Sequence, residues 1–477
     1  MKGTYYPLAP GAKVARRAVM GGEQHLILTG MMGAGKSTVG RILAGALGKG
    51  FLDLDEYIEE NAGTSIKEIF ASKGENYFRE MEQAALQKAL SGPGKVIATG
   101  GGAVVKAANR GLMASHAVVW LAIDVRTATQ RLAFDGTRPL LGKGPASPAV
   151  DGDPMVGWSK LADERKRFYA LCHLVVDGTL APETVAAQIK EWWQKRVQTT
   201  SNWQIRHLPV KTEGKAYPIH IGSGILDQVG QRCLHELGIH KVLIVTNPTV
   251  AKFYLEVVEK SLEEAGIEYA STLLPDGEAY KHLDTVNNLY GAALELGLDR
   301  TSAMLALGGG VVGDITGFAA ATYMRGIKFI QVPTTLLAQV DSSVGGKVGV
   351  NHPQGKNLIG AFYQPEMVLA DIDTLQTLPE RQFLTGIAEI IKYGYIYDGE
   401  FLDELEQYAG KKVPHDILTQ WIWRSCDIKA KVVAEDTREM GLREILNFGH
   451  TVGHALEKVA GFGAYTHGEA VSIGMVT

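Results

Sequence analysis

Three groups of side chains in this chain are spaced for chemistry. The first is Gly30 to Thr38, which reads G-x-x-x-x-G-K-S and then Thr38. A short apolar run, 25–29, precedes it, and a helical pattern, Val39 to Leu47, follows. In that setting the backbone N–H groups of Gly33, Ala34, Gly35, Lys36, Ser37 and Thr38 cradle phosphates. Lys36 reaches the outer phosphates, and Ser37 can ligate Mg2+. The second group is the glycine cluster Gly308 to Gly310, followed by Asp314, Arg325, Thr334, Thr335, Asp341, Lys347, Lys356 and Asn357. Glycines admit a phosphate close to the backbone, and lysine and arginine supply donors for oxyanions. The third group comprises Glu389 and Lys392, three apart on one helical face, His450 and His454, four apart, and His467. The histidines with Glu389 form a mixed nitrogen and oxygen set suited to Zn2+, and spacing alone favours His450 and His454 as the ligand pair.

Smaller signals lie around these groups. Asp53 and Asp55 stand two apart at the end of an apparent strand beside the phosphate loop, one for a metal shell and one for a substrate hydroxyl. Arg79 lies in a helical segment, and 96–102 is a buried strand opening into Gly100-Gly101-Gly102. Asn247 ends another strand. Asp276, Gly277, Glu278 and Lys281 form a segment that can bind ribose hydroxyls or serve as a plain turn.

The elements needed to position these groups are ordinary. At 477 residues, 45% hydrophobic and 21% charged, the chain can build about three packed domains. Its net charge is 48 − 52 = −4, which argues against a nucleic-acid partner, and no apolar run is long enough for a membrane. Three scattered cysteines form no C-x-x-C pair, so a reducing cytoplasm fits. Strands alternate with helices up to about residue 377, which predicts parallel α/β sheets, and helices dominate afterwards. Residues 1–22 read as an N-terminal extension, and 198–206 as a short polar linker. The pair Trp192-Trp193 packs either on the neighbouring domain or in its own core.

Through the phosphate loop, LDLDEYIE, GENYFRE, TGGGA and TRPLL, residues from about 24 to 190 resemble shikimate kinase. The resemblance implies phosphorylation of the 3-hydroxyl of shikimate by ATP with Mg2+. It places Asp53 in the metal shell, and Asp55, Arg79, Gly101 and Arg165 on shikimate, with Asp55 as base. Arg138 would cross to the ATP phosphates, and a long Gly/Pro-rich lid would run from about 142 to 154.

Residues from about 205 onward resemble 3-dehydroquinate synthase through PDGEAYK, GGGVVGD, YMRG, PTTLLAQVDSSVGGK, GKNLIG, AEIIKYG and NFGHTVGH. That family converts 3-deoxy-D-arabino-heptulosonate 7-phosphate to 3-dehydroquinate, with NAD+ and Zn2+ or Co2+. The resemblance replaces the spacing choice: the metal falls to Glu389, His450 and His467, and His454 becomes an active-site histidine. NAD+ falls to Asn247, Asp276, Gly277, Glu278, Lys281, Gly310, Val311, Val312, Gly313, Asp314, Thr334, Thr335, Thr374 and Thr377. Substrate and chemistry fall to Asp341, Lys347, Lys356, Asn357, Lys392, Arg443 and Asn447, with Arg325 on phosphate.

The expected architecture is a P-loop kinase domain, with a parallel sheet and flanking helices, over 23–197. A Rossmann-like α/β NAD domain follows over 207–377, and an α-helical metal-binding domain over 378–477. A homodimer through the synthase half is compatible with this. The family continues past the point matching Thr477, so the last domain is expected to be incomplete and the second activity impaired.

Overall fold

A computed structural model describes residues 24–114, 116–134, 154–199, 205–212, 214–436, 441–461 and 464–477. The expected extension, Arg138 and most of the expected lid lie outside these residues. By compactness the chain divides into one unit of 1–29, 35–118 and 182–201, and a second of 30–34, 119–181 and 202–477.

The first five strands are β1 (Leu26–Thr29), β2 (Gly50–Asp53), β3 (Lys95–Ala98), β4 (Ala117–Ala122) and β5 (Leu174–Asp177), in sheet order β2-β3-β1-β4-β5. The pairs β1–β3, β2–β3 and β4–β5 are parallel, as the strand–helix alternation predicts. Between them run α1 (Lys36–Leu47), α2 (Leu54–Ala62), α3 (Ile66–Ala89), α4 (Ala107–Met113), α5 (Val125–Phe134), α6 (Pro154–Tyr169) and α7 (Pro182–Thr199). A capping box, Ser65 with Glu68, starts α3, and Gly48 in the left-handed region stops α1. Trp192 and Trp193 on α7 are both buried.

The next sheet has seven strands in the order β6-β7-β14-β11-β10-β8-β9. Its members are β6 (Arg206–Thr212), β7 (Lys215–Gly222), β8 (Lys241–Thr246), β9 (Glu268–Leu273), β10 (Ala303–Gly308), β11 (Lys328–Pro333) and β14 (Met367–Asp371). Only β6 runs antiparallel to its neighbour. Every residue of β10 is buried, as befits a parallel strand covered on both faces, and each large side chain there contributes about 1.5–3 kcal/mol. Strands β12 (Lys347–His352) and β13 (Gly355–Phe362) form a separate antiparallel hairpin, whose register shifts between Val350 and His352. Helices α8 (Val229–Leu237), α9 (Pro248–Glu264), α10 (Leu283–Glu295) and α11 (Gly310–Thr322) connect the strands.

The helical texture expected after residue 378 is present as α12 (Glu380–Tyr397), α13 (Gly399–Glu406), α14 (His415–Glu435), α15 (His450–Ala460) and α16 (His467–Val476). Between α14 and α15 the expected helical texture is broken by a 3-10 turn over Leu442–Asn447, followed by Gly449 in the left-handed region. All three cysteines, Cys172, Cys233 and Cys426, are buried and unbridged. Among the described residues no helix is long and apolar enough to cross a membrane.

Candidate active sites

The phosphate loop has the backbone that its glycines allow. Gly33 and Gly35 adopt φ of 84° and 80°, a region costly for other residues. Lys36 opens α1, and the Ser37 hydroxyl donates to Asp53 Oδ2 at 2.5 Å. A hydroxyl beside a buried carboxylate fits the oxygen shell of Mg2+. Asp55 does not share a strand face with Asp53. Asp53 accepts from the N–H of Asp55 (3.0 Å) and of Glu56 (3.4 Å), so it caps α2 and places Asp55 in the first helical turn. The cap wins because strand pairing stops at Asp53, leaving the helix N–H groups in need of an acceptor.

Asp55, Arg79 and the glycine run nonetheless meet. A Cβ on Gly100 would lie 2.6 Å from Asp55 Oδ1, and one on Gly102 would strike the Arg79 guanidinium. Gly101 sits between these two glycines. Arg79 donates to Glu82 Oε2 at 2.9 Å, and Glu82 is fully buried. The sequence reading missed Glu82; its position three residues after Arg79, on the same helical face, was the available signal. Within the second unit, Arg131 donates to the carbonyls of Gly33 (3.3 Å) and Gly178 (2.8 Å), a support for the phosphate loop that was also missed. Arg165 lies on α6.

The NAD candidates gather at the carboxyl ends of β8, β10 and β11, where parallel sheets bind ligands. Helix α11 starts at Gly310 with no side-chain cap, so its first N–H groups suit a pyrophosphate, and Val311, Val312 and Gly313 form its first turn. A Cβ on Gly309 would press on Thr335 Cγ2 at 3.0 Å. Thr334 is buried, and its N–H donates to the carbonyl of Gly308. Asn247 caps α9 through Val250 N, and Thr249 Oγ1 donates to Asp276 Oδ2 at 3.0 Å. Lys281 donates to Asp314 Oδ2 (2.5 Å) and Asn357 Oδ1 (2.6 Å). Burial pushes the Asp314 carboxyl up to about 6 against the pull of Lys281. Thr374 and Thr377 have structural partners: Thr374 Oγ1 donates to the Asp371 carbonyl at 2.7 Å, and Thr377 Oγ1 shares a 2.5 Å bond with the Tyr254 hydroxyl.

The metal candidates come from three helices. Glu389 is fully buried on α12. Its Oε1 lies 3.6 Å from His450 Nε2 at the start of α15, and 3.5 Å from His467 Nε2 at the start of α16. A tetrahedral ion with ligand bonds of about 2.1 Å has ligand–ligand edges of about 3.4 Å, so this donor set fits zinc. His467 is placed by the cap of its own helix. Thr466 and Glu469 form a capping box, and Arg381 grips Glu469 with two bonds of 2.8 and 2.7 Å. The helices approach closely, because a Cβ on Gly468 would lie 2.6 Å from the Thr385 carbonyl. His454, four residues after His450, joins His467 and Glu457 in a second compact donor group. Glu457 Oε1 lies 4.0 Å from His467 Nδ1, on the side where a carboxylate orients a ligating ring.

Beside these donors is a knot of buried charges. Lys392 pairs with Glu389 one helical turn away. Asp341 Oδ1 accepts from Lys429 Nζ and the Tyr393 hydroxyl, both at 2.7 Å. Burial alone would raise the Asp341 carboxyl, but Lys429 and Lys392 outweigh it and hold it well below the usual range. Burial likewise opposes ionisation of Glu389, and Lys392 keeps it low. Burial depresses His454, while Glu389 lifts His467 despite burial. Lys429 is a site residue the sequence reading missed; a lysine within the apolar run of α14 was its only signal. Arg443 is buried, donates to the Gly345 carbonyl at 3.1 Å and lies over the Phe362 ring. Asn447 ends the turn that carries Arg443. Lys347, Lys356 and Asn357 ride on the β12–β13 hairpin, with Lys356 Nζ 3.8 Å from Glu457. Arg325 is exposed in the turn that follows α11.

A parallel sheet with an uncapped helix start at its carboxyl edge, joined to helices bearing a histidine and carboxylate donor set, defines a nucleotide- and metal-using enzyme of the α/β class. A phosphate-loop domain precedes it. Comparison with known proteins agrees. Residues 271–385 match the 3-dehydroquinate synthase N-terminal family, 386–477 its C-terminal family, and 32–194 the shikimate kinase family. The 3-dehydroquinate synthase of Geobacter sp. (strain M21) is 56% identical over 270 residues, 56% of this chain and 74% of that protein. The one from Nitrosomonas europaea is 55% identical over 264 residues, 55% of this chain and 71% of that protein. A solved 2-deoxy-scyllo-inosose synthase, complexed with carbaglucose-6-phosphate, NAD+ and Co2+, is 31% identical. It matches over 57% of this chain and 75% of its own, with a TM-score of 0.53. The chain belongs to the 3-dehydroquinate synthase family and carries a shikimate kinase domain ahead of it, which makes it a bifunctional enzyme of the shikimate pathway.

Proposed function

We propose that residues 23–197 phosphorylate the 3-hydroxyl of shikimate from ATP with Mg2+. Residues 207–377 and 378–477 together convert 3-deoxy-D-arabino-heptulosonate 7-phosphate to 3-dehydroquinate and phosphate, with NAD+ and Zn2+ or Co2+. The observation that carries the second activity is the convergence of Glu389, His450 and His467 beside the Asp341, Lys392 and Lys429 charges.

In the kinase part, Lys36 neutralises charge on the transferred phosphoryl group, and Ser37 with Asp53 would hold Mg2+. Asp55 takes the proton of the shikimate hydroxyl. Arg79, aimed by Glu82, grips the substrate with Gly101. Arg165 is a separate candidate for the substrate carboxylate. Arg138 crosses to the ATP phosphates. In the synthase part, Glu389, His450 and His467 would hold the cation, and segments 276–281 and 310–314 would hold NAD+. When bound, NAD+ takes and returns a hydride while the cation polarises the alcohol oxygen. Lys347, Lys356, Lys392, Lys429 and Arg443 supply donors for the carboxylate and phosphate, with Asn357 and Asn447 fixing hydroxyls. His454, which sits with His467 and Glu457, is the candidate proton acceptor. Arg325 would be a further phosphate contact. A cytoplasmic setting suits three free thiols, and light scattering tests a homodimer through the synthase half.

The assay is direct. The purified chain should release phosphate from the heptulosonate phosphate only with NAD+, lose this on chelation and regain it with Zn2+ or Co2+. Accumulation of NADH without phosphate release would overturn the synthase reading. ATP binding without formation of shikimate 3-phosphate would overturn the kinase reading.

A further inference from the structure

Asn351 occupies the register shift of the β12–β13 hairpin. Val350 pairs with Ile359 and His352 with Gly355, so Asn351 stands between the two paired positions. A bulge of this kind frees backbone groups and re-aims a side chain. Here three polar groups of Asn351, its backbone N–H and both ends of its amide, are used. Its N–H donates to the Lys281 carbonyl at 2.7 Å. Its Nδ2 donates to Glu278 Oε1 at 2.8 Å, and its Oδ1 accepts from Asn357 N at 2.8 Å. Only this orientation of the amide satisfies both a carboxylate and an N–H. Asn357 itself is held at φ 54°, a conformation outside the usual range, and its side chain is gripped by Lys281. One residue therefore ties Glu278 and Lys281 to the backbone of Asn357.

We propose that Asn351 is a positioning residue that couples the two binding segments. Order imposed on 276–281 by NAD+ then passes through its amide to Asn357 and Lys356, and the acidic sugar substrate returns the same coupling. The inference rests on reading 276–281 as the NAD+ segment and 356–357 as the substrate segment. Coupling of this kind is reciprocal, and each ligand should tighten the other by about tenfold.

The test titrates NAD+ calorimetrically into the full chain, with and without the phosphonate analogue of the heptulosonate phosphate. In the unaltered chain the analogue should tighten NAD+ about tenfold. In Asn351→Ala and in Asn351→Asp, which turns a carboxylate toward Glu278, that factor should fall toward one. Adding Glu278→Gln to Asn351→Asp restores a donor–acceptor pair and should restore most of the factor. A merely structural role would weaken both ligands while leaving the factor intact, and that result overturns the proposal, as does failure of the double variant to recover. If both ligands bind the unaltered chain without influencing each other, the coupling alone is wrong. If NAD+ does not bind at all, the reading of 276–281 falls with it.

Discussion

The two candidate sites are assembled in opposite ways. In the kinase part the chemistry is compressed into short stretches: Gly30 to Thr38 holds the phosphate loop, and Asp53 and Asp55 lie two residues apart. Its ionic contacts are mostly local, as Arg79 reaches residues three and four positions away. In the synthase part Asp341 meets Lys429, and Glu389 meets His450 and His467, across tens of residues. Glu389, Lys392, Lys429 and Arg443 there are buried, and most of these charges depend on a partner supplied by another element. A local motif can lose one member and keep its shape, whereas a buried, long-range knot loses chemistry and fold together.

Five substitutions sharpen this contrast. The largest effect is expected from Glu389→Ala, which should lower synthase turnover by at least ~100-fold and cation affinity by a similar factor while sparing the kinase. Metal content after dialysis, read beside both activities, checks it. Lys36→Met should do the converse, reducing kinase turnover by ~100- to 1,000-fold with thermal stability nearly unchanged. Lys429→Met leaves the part-buried Asp341 carboxylate without its closest cation, at a cost of about 1–3 kcal/mol. Denaturant titration should show an earlier midpoint for the synthase signal. The same pair has a sign in pH. A depressed folded value means Asp341 contributes stability above its unfolded value of about 4, and this is lost as pH falls below it. Asp341→Asn should flatten the acid limb of the stability curve. The smallest effect is expected from Thr377→Val, which removes the bond to Tyr254 and about 1 kcal/mol of stability. An accompanying fall in NAD+ affinity would separate a cofactor contact from a purely structural one.

What could be read beforehand follows the same division. The phosphate loop was legible because its function resides in the backbone of consecutive residues. Glu389, His450 and His467 were legible through resemblance, whereas helical spacing alone pointed to His450 with His454. The two histidines do share α15, but only His450 lies close to Glu389. Asp55 was misplaced because the strand pattern carries no mark of the N-cap that ends it at Asp53. Lys429 was invisible because an apolar helix reads as core, and what separates it from a surface lysine is a partner 88 residues away. Asn351 gave no signal in sequence, because its three bonds depend on a register shift that sequence does not display.

The cysteines have a practical consequence. Cys172 lies just after α6, Cys233 on α8 and Cys426 on α14, and each is fully buried. Burial pushes the thiols of Cys172 and Cys426 up to about 12, and raises Cys233 as well. The thiolate is the reactive form, so alkylating reagents should find no target in the native chain. Each sulfur becomes modifiable only when its own neighbourhood opens. Mass-resolved labelling over time would then report, from one untouched protein, the opening rates of three separate regions.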